Sequence, residues 1–120
     1  MIDGVNLLPF LGANAAVQPA RALFWRDGPY RTVQDHGWKL IVAERPKIEW
    51  LFNLAADPTE KVNVVAQQPE KLAQLKAQLE AHHAKMPPPL WPSFIEFPVL
   101  IDKTLDQKES PADEYTYWYN

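Results

Sequence analysis

A few residues in this chain have the types and spacing to do chemistry. His36 precedes Gly37 between two strand-like runs, so it stands at the tip of a tight connection, where an imidazole could reach a site supplied by another domain. The plainer reading is an exposed turn residue. Lys39, beside Trp38, could meet an anion; the plainer reading is an outward-facing strand lysine. Asp57 and Glu60 have carboxylates three residues apart, as acid–base work would want. They flank Asp-Pro turn chemistry, so turn forming and capping explain them more simply. His82 and His83 are adjacent in a helical pattern and diverge by about 100°, unlike the i, i+4 pair that chelates a metal from one face. One is expected on the core edge and one in solvent. Trp25, Trp38, Trp50 and Trp91 could stack on a sugar, but core and interface packing is their usual use. The 120 residues contain no cysteine, which removes disulfides, thiolate nucleophiles and Cys-bound zinc together.

The balance of residue types narrows the class. A net charge of −3 and the lack of a Lys/Arg cluster argue against a nucleic-acid partner, which needs a basic face to neutralise phosphates. Hydrophobic residues make up 47% of the chain, so a packed core is affordable and disorder is not expected. No apolar run approaches the roughly 18–20 residues of a membrane span. The first sixteen residues lack a basic leader region, and Asn6 and Pro9 interrupt their apolar part. They do not read as a signal peptide, and a cytoplasmic location is the default expectation.

The elements that would position these residues follow from periodicity. A short helix is expected over 5–11, limited by Pro9, with a linker over 12–19. Four strands are expected at 22–26, 30–35, 38–44 and 48–54. Asp27-Gly28-Pro29, His36-Gly37 and Arg45-Pro46-Lys47 join them, which makes an antiparallel meander. The stretch WLFNLAADPTEKVNVV, 50–65, leaves the last strand through an acidic turn. A helix opens at Gln68-Pro69-Glu70, with Pro69 near N1. Leu72, Leu75, Leu79, His82 or His83, and Met86 form its apolar stripe. Pro87–Pro89 end it. The segment from Leu90 onward holds one candidate edge strand around Pro98. Its last eight residues carry four aromatics, too many for a free tail, so they are expected to pack against the domain or a partner. The fold class expected is α+β: about four antiparallel strands packed against one long C-terminal helix, with an extended Pro-rich tail. The divisions are 1–20 (short helix and linker), 21–86 (sheet plus helix) and 87–120 (tail).

The ordered set DGVNLLPFL, ALFWR, VQDHGWKLI and WLFNLAADPTEKVNV, followed by a Pro-started helix, resembles the C-terminal subdomain of arylsulfatase-type sulfatases. The matching positions are Trp38-Lys39-Leu40, Leu51-Phe52-Asn53-Leu54, Asp57-Pro58-Thr59-Glu60 and Asn63. The closing segments LWPSFIEFPVLIDKT and DEYTYWYN resemble the extended tail of some bacterial members. The resemblance implies a small antiparallel sheet with a helix packed on it, beside a larger α/β domain that holds the catalytic machinery. Many relatives have Arg-Asp-Gly before the Trp-Lys pair, where this chain has Gln34-Asp35-His36-Gly37. That departure puts in doubt any substrate contact by this hairpin.

Such sulfatases use a formylglycine made from Cys or Ser in a Cys/Ser-x-Pro-x-Arg motif, with a divalent cation held by Asp/Asn ligands. Neither Ser93 nor Ser110 has that setting. The expectation is therefore a module that is not an enzyme on its own, with no catalytic residues, metal or cofactor, and a structural or interaction role. It would dock on a sulfatase catalytic domain or form a homo-oligomer. Two other readings stay open: a module binding sulfated or carbohydrate compounds, and half of a split sulfatase completed in trans. His36, Trp38, Lys39 and Trp91 are the candidate ligand or interface contacts.

Overall fold

The computed structural model describes residues 6, 8, 21–45, 47–88, 90–91, 96–101, 103, 107–108, 110–119, and the account below concerns these. The expected helix over 5–11 and the linker over 12–19 lie outside them, apart from Asn6 and Leu8.

Four strands form an antiparallel sheet in sequence order: β1 Leu23–Asp27, β2 Tyr30–Asp35, β3 Trp38–Ala43 and β4 Ile48–Asn53. The two tightest connections work because of where positive φ falls. Gly28 (φ 51°) opens the β1–β2 turn, and His36 (φ 46°) and Gly37 (φ 77°) form the β2–β3 turn. Two left-handed residues in succession are what a type I′ hairpin requires. Glycine meets that demand without strain. Histidine does so at a cost, since its Cβ crowds the backbone there.

Register sets the two faces. Phe24 opposes Val33, Val33 opposes Leu40, and Leu40 opposes Leu51. This row lies under the helix α1, Pro69–His83, whose Leu75 and Leu79 complete the buried core with Val33, Leu40 and Leu51. Pro69 stands at the start of α1, and Glu70 lies in its first turn where the helix dipole favours an anion. Polar ties fix the helix on the sheet at three successive alternate positions. Lys76 Nζ donates to Glu49 (2.5 Å), Gln78 Nε2 to Asp35 (3.1 Å), and Arg31 Nη1 to Glu80 (2.9 Å). At the C-terminal end the His82 ring stacks flat on Phe24, with centroids 4.0 Å apart. His83 is half-buried rather than in solvent, so both histidines stand against the protein.

The chain continues beyond α1 into a two-stranded antiparallel ribbon, β5 Glu96–Leu100 and β6 Tyr115–Tyr119. The helix is therefore not the last element. The strand expected around Pro98 is β5, and its partner β6 comes from the aromatic terminus, where the sequence pattern indicated only packing.

Candidate functional site

The edge of β4 explains the acidic turn. Asp57 accepts from the Val62 N–H (2.8 Å) and the Thr59 hydroxyl (3.2 Å). The Val62 N–H, more than any other group, holds the Asp57 carboxyl below the usual carboxylate range. The turn thus delivers Asn63 alongside β4. There Asn63 Oδ1 accepts from the N–H of Leu51 (2.9 Å) and of Val65 (3.1 Å), and Nδ2 donates to the Glu49 carbonyl (3.1 Å). The Val64 N–H takes the Leu51 carbonyl (2.9 Å). One side chain and one backbone amide stand in for a fifth strand, so the outward groups of Leu51 and Glu49 are not left as an open edge. In the sequence Asn63 is one of the positions that carry the family resemblance, and nothing there marks it as the seal of a strand edge.

Glu60, with φ 56°, turns its carboxylate to Lys39, whose ammonium donates to both oxygens at 2.7 and 2.8 Å. Lys39 is thus not a free outward lysine; its charge is neutralised from the crossover. Asp57 and Glu60 are both committed and do not form an acid–base pair.

His36 stands at the hairpin tip with its side chain 68% exposed, and its Nδ1 lies 2.6 Å from Oδ1 of the buried Asp35. Asp35 in turn accepts from Gln78, so the helix orients the carboxylate and the carboxylate orients the imidazole. Trp38 opposes Asp35 on the helix face, half-buried, with the Lys71 ammonium 5.8 Å from its ring. Lys39, its chain neighbour, points to the opposite face. Trp91 is 87% exposed after the proline run. The fold therefore gathers His36, Trp38 and Lys39 around one hairpin but on different faces, and it does not assemble the four tryptophans into one platform.

The sheet face turned away from α1 carries the other grouping. Trp25 opposes Thr32, Thr32 opposes Ile41, and Ile41 opposes Trp50, a single row across all four strands. At about 4.8 Å per strand it spans about 14 Å. Trp25 is 49% exposed at one end. At the other end the β5–β6 ribbon stands off the sheet. Tyr30 Oη and Thr116 Oγ1 share a hydrogen bond, and Trp50 Nε1 donates to Glu114 (3.2 Å). Between ribbon and sheet lies an open cleft of about 830 Å³, floored by Ile41, Ile48, Trp50 and Phe52. Glu60, Lys61 and Asn63 line it from the crossover, and Ile101 and Glu114 from the ribbon side. That volume falls in the range of small-ligand pockets.

Chemically, the cleft is apolar in the middle and polar at the rims. Among the described residues no group of three or more His, Asp or Glu could hold a metal ion, and no helix is long and apolar enough to cross a membrane. The class defined by fold and site is an α+β sheet-and-helix module with one open, partly strapped sheet face. No protein-family model and no curated protein sequence matches the chain.

Proposed function

We propose that the chain is a non-catalytic module of the sulfatase C-terminal type, with a structural and docking role. The observation that carries this reading is the sheet face opposite α1. It keeps Trp25 half-exposed and a large apolar cleft open, although the helix has already supplied the core. An exposed apolar face of this kind marks an interaction surface. The ordered Trp-Lys-Leu, Leu-Phe-Asn-Leu and Asp-Pro-Thr-Glu motifs support the sulfatase type, and the absence of cysteine and of the Ser-x-Pro-x-Arg motif supports a non-catalytic role. The occupant of the face is then a sulfatase-type catalytic domain; failing that, a second copy of the chain.

The test is to mix the purified chain with an arylsulfatase catalytic domain cut before its own C-terminal subdomain. A stable one-to-one complex by light scattering is expected, disrupted by Trp25→Glu. Sulfate-ester hydrolysis by the chain alone would overturn the reading. Activity that appears only on mixing would convert it to a split enzyme. A ligand-binding reading is favoured by one observation, that Trp25 and Trp50 share a cross-strand row. Quenching of tryptophan fluorescence by sulfated sugars, with no binding of the catalytic domain, would establish that alternative.

A further inference from the structure

The cleft between sheet and ribbon carries a charge pattern that the docking reading does not use. Of the charged side chains that line or border it, two are spent on each other: Lys39 is held by Glu60. Two are not. Among the described residues neither Lys61 nor Glu114 has an oppositely charged partner. Both line the cleft, Lys61 from the crossover and Glu114 from the ribbon. Among the described residues, the hydrogen bond that the Glu114 carboxylate accepts is from a neutral donor, the Trp50 indole. A cation on one rim and an anion on the other thus flank the apolar floor.

The ribbon wall is a sheet separate from the floor. Among the described residues, the side-chain hydrogen bonds Tyr30 to Thr116 and Trp50 to Glu114 join it to the four-stranded sheet, and no strand pairing does. A two-stranded ribbon has little stability of its own and gains from whatever it closes on. Exchanging the Trp50 indole for a cation would give Glu114 a charge-assisted bond in place of a neutral one.

We infer that the cleft binds a polypeptide segment presenting one apolar side chain between an acidic and a basic residue, the acid meeting Lys61 and the base meeting Glu114. The apolar side chain fills the space over Ile41, Ile48 and Trp50, and the ribbon closes over it. This inference rests on the docking reading and names the chemistry of the partner surface.

The test uses the full chain and capped synthetic peptides with Glu-Leu-Arg, Arg-Leu-Glu and Ser-Leu-Ser cores, followed by NMR. Shifts are expected at the Trp50 indole N–H and the Ile41 and Ile48 methyls, with one charged order binding several-fold more tightly than the uncharged peptide. Lys61→Glu should weaken that peptide about fivefold, the scale of one exposed ion pair, and should restore binding when the peptide's acid is replaced by arginine. Glu114→Lys gives the mirror test. Lys61 and Glu114 are exposed, so both variants should fold.

Several results would overturn the inference. One is shifts confined to the α1 face; another is affinity indifferent to both charge reversals. A third is the same shifts produced by raising protein concentration alone, which would assign the cleft to a second copy. A fourth is a small aryl sulfonate competing at the same residues more tightly than any peptide. Peptide binding with no catalytic-domain complex would remove the sulfatase partner and keep the cleft. The reverse result would move docking to the Trp25 end of the sheet.

Discussion

Asn63 shows how much one side chain can do at an exposed position. Replacing it with alanine leaves the Leu51 N–H, on a strand whose side chain is fully buried, without an acceptor. Unmade hydrogen bonds at such groups cost about 1–3 kcal/mol, so Asn63→Ala should lose that much in denaturant unfolding. Asn63→Asp keeps the acceptor and loses only the donor to the Glu49 carbonyl, so it should lose less. Equal losses would mean that the edge seal is not made by Oδ1. Glu60 separates two effects that share one residue. Its carboxylate neutralises Lys39, while its φ of 56° suits glycine. Glu60→Ala loses the pair and keeps the strain, whereas Glu60→Gly loses the pair and relieves the strain. The glycine variant should therefore be the more stable of the two by about 1 kcal/mol. Neither role is legible in the sequence, because a left-handed glutamate has no signature and its partner is twenty-one residues away.

At the scale of elements, the meander and the start of the helix were readable to within a residue, because their periods and turns agree; the helix itself stops at His83, three residues short of Met86, which the apolar stripe includes. Val33, Leu40 and Leu51 alternate correctly along their strands, and Leu75 and Leu79 lie one helical turn apart on the stripe. Leu75→Ala should cost about 2–5 kcal/mol, a large share of the roughly 5–15 kcal/mol that holds a domain together, and should melt sheet and helix in one transition. The ribbon was half readable. Strand β5 has apolar and β-branched residues around an edge proline, but β6 is a run of aromatics whose pairing is decided by a partner fifteen or more residues away. The same long-range choice hid the cleft, since nothing local links Glu114 to Trp50. Tyr30→Phe removes the hydrogen bond to Thr116 that helps join ribbon and sheet. Hydrogen exchange should then speed up in β5 and β6 and stay unchanged in β2 and β3. Uniform acceleration would mean that the ribbon and the sheet form one cooperative unit.

For the whole molecule, two carboxylates make the architecture depend on pH at two separate places. Asp57 lies below the usual range chiefly through the Val62 N–H, and it shapes the crossover from β4 to α1. Asp113 lies below it chiefly through the Lys103 ammonium and next through the Ser110 N–H, and it closes the loop between β5 and β6. A carboxylate whose folded value is depressed contributes stability that is present above its unfolded value, near pH 4, and is lost as the pH falls through the folded value. Acidification below about pH 4 should therefore loosen both places. The consequences differ because the two loops hold different things. Asp113 precedes Glu114, the residue joined to Trp50, so its protonation should free the ribbon and change Trp50 fluorescence. Asp57 supports Asn63, so its protonation should unseal β4 and lower the unfolding midpoint of the sheet. Asp113→Asn should flatten the acid dependence of the fluorescence and leave that of the midpoint in place. Asp57→Asn should flatten the midpoint dependence and leave the fluorescence change. If either substitution flattened both, ribbon and crossover would be coupled through the cleft they share, and a partner that fills the cleft would then stabilise the β4 edge as well.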